Sequence, residues 1–188
     1  MRPGNILLAV VTLAYPALVY TGMVVFEPRA LGMLLLAVLL LRHGRQITTL
    51  WRQTPGEERL LAASLLCLSL AIVVANREWL LRLYPAAMSF GVLAIFARSL
   101  FQPQTVIERI ARLQEPDLPP EGVRYTRRVT EIWCAFLAIN GIVAFATVFA
   151  SREIWALWNG LLSYLCMGTL FAGEWLVRRH VRRPRITV

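Results

Sequence analysis

The sequence predicts an all-α fold, a polytopic bundle of six transmembrane helices with both termini in the cytoplasm. Three observations predict it. Hydrophobic residues make up 57% of the 188 and the mean hydropathy is +0.58, whereas a soluble domain is about 45–50% apolar. They come in long unbroken blocks, which a soluble core built from one-sided helices does not use. The arginines between the blocks are shared very unequally by alternate connections.

Crossing a hydrocarbon core about 30 Å thick takes roughly 20 predominantly apolar residues. The blocks that approach or meet this length are 6–26, 28–43, 60–75, 79–101, 129–150 and 154–177. The first contains Pro16 and runs into Phe26-Glu27-Pro28-Arg29 without a small-residue cleavage site, so a span is expected there and not a signal peptide. The second is short as an apolar run. It becomes adequate if Pro28 takes the first helical position and Arg42 and His43 reach back to the interface. Trp79, Trp133, Trp155, Trp158 and Trp175 lie towards block ends, where an interfacial aromatic belt would place them.

Charge sets the orientation. All 20 basic residues are arginine. The first, third and fifth connections hold Arg29, Arg77, Arg82 and Arg152, and the other sixteen fall on the opposite side. Among these are Arg42, Arg45, Arg52 and Arg59, then Arg98 to Arg128, then the tail from Arg178 to Arg185. The positive-inside rule puts the larger set in the cytoplasm, and an even number of spans places both termini there.

One cytoplasmic stretch has helical patterning of its own. Over 105–113, Val106, Ile107, Ile110 and Leu113 share one face, with Glu108, Arg109 and Arg112 on the other. Such a segment suits an amphipathic helix lying on anionic lipid. Pro116, Pro119 and Pro120 then read as a stiff linker leading to Arg124-Tyr125-Thr126-Arg127-Arg128. Tyr15-Pro16-Ala17 recurs as Tyr84-Pro85-Ala86, a layout compatible with inverted three-helix repeats. The remaining helices do not align, so two unrelated proline kinks are the simpler account.

Several chemistries are excluded. Without lysine there is no Schiff-base, pyridoxal-phosphate or P-loop chemistry. The one aspartate, Asp117, stands in the proline-rich stretch, so paired-aspartate Mg²⁺-diphosphate binding is not expected. His43, His180, Cys67, Cys134 and Cys166 have no partner at ligand spacing, so no metal site, disulfide framework or cofactor is expected. No catalytic residue and no nucleic-acid partner is predicted.

Two sets of polar residues remain as candidates. Arg109, Arg112, Arg124, Arg127, Arg128 and Glu131 can form an anion or headgroup site at the cytoplasmic surface. There Glu131, one turn into the fifth span, would orient Arg127 and Arg128. The plainer account is an interfacial ion pair near a helix start. Within the spans, Asn140 and Asn159 are expected to hydrogen-bond between helices, and Glu174 to pair with Arg178. Ala87 and Gly91, like Gly168 and Ala172, are small residues four apart that permit close helix packing.

A resemblance enters here. Tyr84-Pro85, Ile107-Glu108-Arg109-Ile110-Ala111-Arg112, Arg124-Tyr125-Thr126-Arg127-Arg128-Val129-Thr130-Glu131-Ile132-Trp133 and Asn140-Gly141 follow one another in this order. They resemble a family of small polytopic bacterial inner-membrane proteins associated with genes for fatty-acid-like, aryl polyene pigment synthesis. The likeness covers the C-terminal half of the chain, and the first half shares only the layout. The resemblance implies a multi-pass inner-membrane protein, a non-enzymatic accessory or scaffold for acyl-chain or polyene lipid synthesis. Its expected partners are anionic lipids of the cytoplasmic leaflet and acidic acyl carrier protein or synthase components. A small transporter or flippase for a lipidic product is the second expectation, and a membrane-embedded transferase the third.

Overall fold

The structure, a computed structural model, describes residues 27–44 and 56–181. Within them the chain is helical, with no strand among the described residues. The helices are α1 (Pro28–Gly44), α2 (Gly56–Ala75), α3 (Glu78–Ser99), α4 (Val106–Arg112), α5 (Pro120–Thr147), α6 (Arg152–Leu157) and α7 (Ser163–Val181). A π turn, Trp158–Leu162, joins α6 to α7 without a break. Three helical stretches are long and apolar enough to cross a membrane: Glu78–Ser99, Pro120–Thr147 and Arg152–Val177. They correspond to the last three expected spans. The second and third correspond to shorter apolar helices, Pro28–Leu40 and Arg59–Ala75. The first span and the Tyr15-Pro16-Ala17 half of the suspected repeat lie outside the described residues, as do Arg45, Arg52 and the tail from Arg182.

The most extensive interface joins α3 to α5, followed by α1 with α2 and α2 with α3. Lipid tails are as apolar as leucine, so helices that meet among them gain from close fit more than from burial. Small residues supply that fit. A Cβ at Gly91 would collide with the Leu61 side chain across α2 and α3, and one at Gly141 would come within 2.8 Å of the Phe90 ring across α3 and α5. Gly168, by contrast, meets nothing. Two fully buried hydroxyls are satisfied within their own helices: Ser69 donates to the Leu65 carbonyl at 2.8 Å, and Thr130 to the Thr126 carbonyl at 2.8 Å. α7 leaves most of its surface uncovered, with Leu165, Phe171, Trp175 and Leu176 all exposed. Exposed apolar side chains of this kind are what a lipid-facing surface presents.

The two ends of the bundle are built differently. At one end α2 stops at Asn76, whose φ of 48° is the left-handed conformation asparagine tolerates at a helix C-terminus. Asn76 Oδ1 accepts the Arg29 backbone N–H at 2.9 Å, tying α1 to the α2–α3 turn. Glu78, at the start of α3, accepts from Arg82 on its own helix at 2.6 Å and from Arg152 on α6 at 2.5 Å. Arg82 Nη1 also donates to the Ala150 carbonyl at 2.9 Å, in the turn that follows α5. Below this network Ile72, Leu81, Trp155 and Ala156 form a buried cluster joining α2, α3 and α6.

The other end carries more of the arginines. Thr105 caps α4 by accepting from the Glu108 N–H, and Ser99 Oγ accepts the Val106 N–H. The expected segment over 105–113 is helical over Val106–Arg112, but Glu108 does not share an exposed face with Arg109. Glu108 is buried against the bundle and Ala111 with it, while Ile110 and Leu113 face outward. The reason is that an apolar face has no need of protein cover in lipid, while a carboxylate can be held inside once it is paired. Arg112 supplies the pair at 2.8 Å and donates to the Pro116 carbonyl at 2.9 Å.

Two further expectations are corrected. The proline stretch is not a linker throughout: Pro120 begins α5, so Arg124, Arg127 and Arg128 are helical. Proline suits a first helical position, where its missing N–H costs nothing. Trp133 and Trp155 do not stand in an interfacial belt. Both are buried, Trp133 against Phe96, Phe136 and Phe171, and Trp155 with its indole N–H on the Arg82 carbonyl at 3.0 Å. Trp79 and Trp175 are exposed, as a belt requires.

Candidate functional site

Polar side chains gather in two places. The first is the outer part of α5. Residues three and four apart share a helix face, and Glu121, Arg124, Tyr125, Arg127, Arg128 and Glu131 line a shallow hollow of about 440 Å³. Tyr125 reaches across to α7, its hydroxyl donating to the Glu174 carbonyl at 3.3 Å. Arg127 pairs with Glu131 at 3.5 Å, with both side chains about half exposed. A pair so placed contributes about 0–1 kcal/mol and does not fix a guanidinium in space. Glu131 lies eleven residues beyond Pro120, so a helix N-terminus plays no part in placing it. Three arginines stand against two carboxylates, which leaves the hollow only weakly cationic.

Of the six residues expected at a surface anion site, Arg124, Arg127, Arg128 and Glu131 thus share one hollow. Arg112 is held by Glu108 and Pro116, and Arg109 is exposed on α4. No group of three metal-ligating side chains comes together among the described residues.

The second place lies deep between α3, α5 and the α6–α7 helix. A cavity of about 220 Å³ is lined by Tyr84 and Ser89 of α3, Asn140 of α5, Asn159 of the π turn, and Ser163 and Tyr164 of α7. Met88, Met167 and Trp155 complete its apolar wall. Asn140 and Asn159 do make the interhelical bonds expected of them. Asn140 Nδ2 donates to Ser89 Oγ at 3.0 Å, and Asn159 Nδ2 to Thr147 Oγ1 at 3.1 Å and the Trp155 carbonyl at 3.0 Å. Glu174 is not part of this cavity, and its expected pairing falls on the Arg178 side chain, which lies outside the side chains described.

Local sequence explains the opening. Pro85 has no N–H to donate to the Leu81 carbonyl and loosens that turn of α3. Opposite it, the Ser163 N–H reaches back five residues to Trp158, widening the helix by one residue. Asn140 is 6% exposed, and its Oδ1 makes no hydrogen bond. A buried amide oxygen left so costs about 1–3 kcal/mol, a cost that packing alone does not require. Ser89, Ser163, Tyr84 and Trp155 were not singled out as site residues from the sequence. A serine or tyrosine in an apolar block carries no signal until the helices are set against one another.

No protein-family model matches the chain, and no curated protein and no solved structure matches it.

Proposed function

We propose that the chain is a multi-pass inner-membrane accessory that gathers acidic or anionic partners at its cytoplasmic face and supports acyl-chain or polyene lipid synthesis without catalysing a step. The observation that carries this is the arginine-bearing start of α5. Arg124, Arg127 and Arg128 project from a helix that runs unbroken into an apolar span. Beside it α4 turns Ile110 and Leu113 outward next to Arg109, as a helix seated in a headgroup layer does. An exposed, weakly cationic surface favours encounter with an acidic protein more than tight capture of a small anion. The motif likeness of residues 84–141 supports the same pathway.

Binding of an acyl carrier protein to the chain in nanodiscs, followed by biolayer interferometry, tests the reading. We expect saturable binding that weakens about tenfold when Arg124, Arg127 and Arg128 are all changed to Gln, and that fades with added salt. Absence of binding by the wild-type chain at low salt removes the accessory reading. A second reading, a carrier or flippase for a lipidic product, is favoured by the deep polar cavity.

A further inference from the structure

We infer that the cavity between α3, α5 and the π turn is a binding site for the hydroxyl group of a neutral amphiphile. The inference stands apart from the arginine surface and holds whether the bound molecule is carried across the membrane or kept in place.

Four observations lead there. Asn140 is nine-tenths buried, lines the cavity and leaves Oδ1 without a partner. Its Nδ2 is spent on Ser89, whose oxygen accepts that bond and whose own proton remains to be donated. A ligand that both donates to Asn140 and accepts from Ser89 completes the set, and a hydroxyl does both. An amide can present either end, and a hydroxyl also answers the reversed amide, because it can accept from nitrogen as readily as donate to oxygen.

No charged side chain lines the cavity. A carboxylate or phosphate placed there would lose its hydration with no cation to offset the loss, so charged headgroups are excluded. The volume of about 220 Å³ falls below the roughly 300–1,000 Å³ of sites that enclose a whole drug-sized ligand. It suits one polar group and a few carbons, with an acyl chain continuing past Met88 and Met167 into lipid. Methionine adapts its shape to such chains at small cost. The π turn on the facing wall is a device found disproportionately at functional positions, since its extra residue sets side chains where a regular helix would not.

A diazirine-bearing monoacylglycerol, photolysed with the wild-type chain in phosphatidylcholine nanodiscs, provides the test. Mass spectrometry locates the labelled peptides. Labelling is expected in the segments 84–89 and 159–167, saturable and displaced by unlabelled monoacylglycerol but not by the corresponding fatty acid at pH 8. Asn140→Leu should reduce that labelling about fivefold or more, the loss of one buried hydrogen bond. Thermal stability of this variant should be kept or raised, because the orphaned oxygen goes with the amide. Ser163→Leu fills the cavity from the opposite wall, leaves Asn140 intact and should also abolish labelling.

Labelling spread evenly over lipid-facing segments, displacement by the fatty acid as effective as by the monoacylglycerol, or undiminished labelling in a folded variant would each overturn the site. The last result would leave Asn140 hydrated by water alone. The wild-type competition needs no variant, so the inference stays testable even if both substitutions fail to fold. Carrier-protein binding is unaffected by these outcomes, so the two proposals fail independently.

Discussion

The two ends of the bundle use the same chemistry, arginine against glutamate, to different effect. At the Glu78 end one carboxylate takes hydrogen bonds from Arg82 and Arg152, and Arg82 continues to the Ala150 carbonyl. One carboxylate and two guanidiniums therefore tie α3, α6 and the turn after α5 together. At the arginine-rich end the Arg127–Glu131 pair sits on a single helix, half exposed, and ties nothing to anything. The end with fewer arginines uses them structurally, and the end with more leaves several projecting outward. Number of charges decides orientation in a membrane, but only the geometry of partners decides which charges hold the fold.

The sharpest way to break this contrast is Arg82→Met. The Arg82 side chain is 12% exposed, and methionine keeps much of its length while removing every donor. The Ala150 carbonyl would lose its partner, and the Glu78 carboxylate would keep only its bonds from Arg152, at a cost of about 2–4 kcal/mol. A large drop in the thermal unfolding midpoint in detergent is expected. An unchanged midpoint would show that the network decorates the α3–α6 junction without securing it.

Glu108 is the intermediate case, because it lies at the arginine-rich end yet behaves like Glu78. It is buried, and with Arg112 it fastens α4 through the Pro116 carbonyl. Glu108→Gln should cost about 1–2 kcal/mol, felt locally and not across the bundle. Hydrogen exchange is the suitable measurement. Amides of 106–115 should exchange faster while those of α3 and α5 keep their protection. Equal loosening of all three would mean that Glu108 supports the whole bundle and that the ends differ less than proposed.

How much of this was legible in the sequence follows from what each feature depends on. An apolar run inside lipid has little choice but helix, since every backbone N–H must find its partner within the segment. That is why 79–101, 129–150 and 154–177 were readable to within a few residues at most boundaries. The start of α5 was missed because Pro119 and Pro120 look like a linker, and only the observed extended Pro119 shows that Pro120 opens a helix. The pattern of α4 was legible, but the burial of Glu108 was not. Val106, Ile107, Ile110 and Leu113 do recur at helical spacing, but periodicity cannot say whether the apolar side meets protein or lipid. The same blindness misplaced Trp133 and Trp155.

For the deep cavity, Asn140 and Asn159 stood out as amides in apolar blocks. Their meeting around one hollow depends on a turn widened by one residue at Trp158–Leu162. One inserted residue rotates everything beyond it by about 100° around the helix, the angle of a single residue in 3.6 per turn. No composition or spacing in the sequence announces that step.

The smallest effect expected is the most informative about the arginine surface. Glu131→Gln removes one charge from a pair exposed by about half on each side, so stability should change by no more than about 1 kcal/mol. Were the pair structural, as at the Glu78 end, the unfolding midpoint would fall clearly and the contrast between the two ends would collapse. If stability holds, the effect on carrier-protein binding becomes readable without correction for lost fold. Removing a carboxylate from a surface of three arginines and two glutamates raises its positive charge, so an acidic partner should associate faster and bind somewhat more tightly. Weaker binding would mean that Glu131 holds Arg127 in the posture the partner needs. The hollow on α5 would then be a formed site, and Arg128→Lys would weaken binding too, because lysine keeps the charge but loses the planar fork.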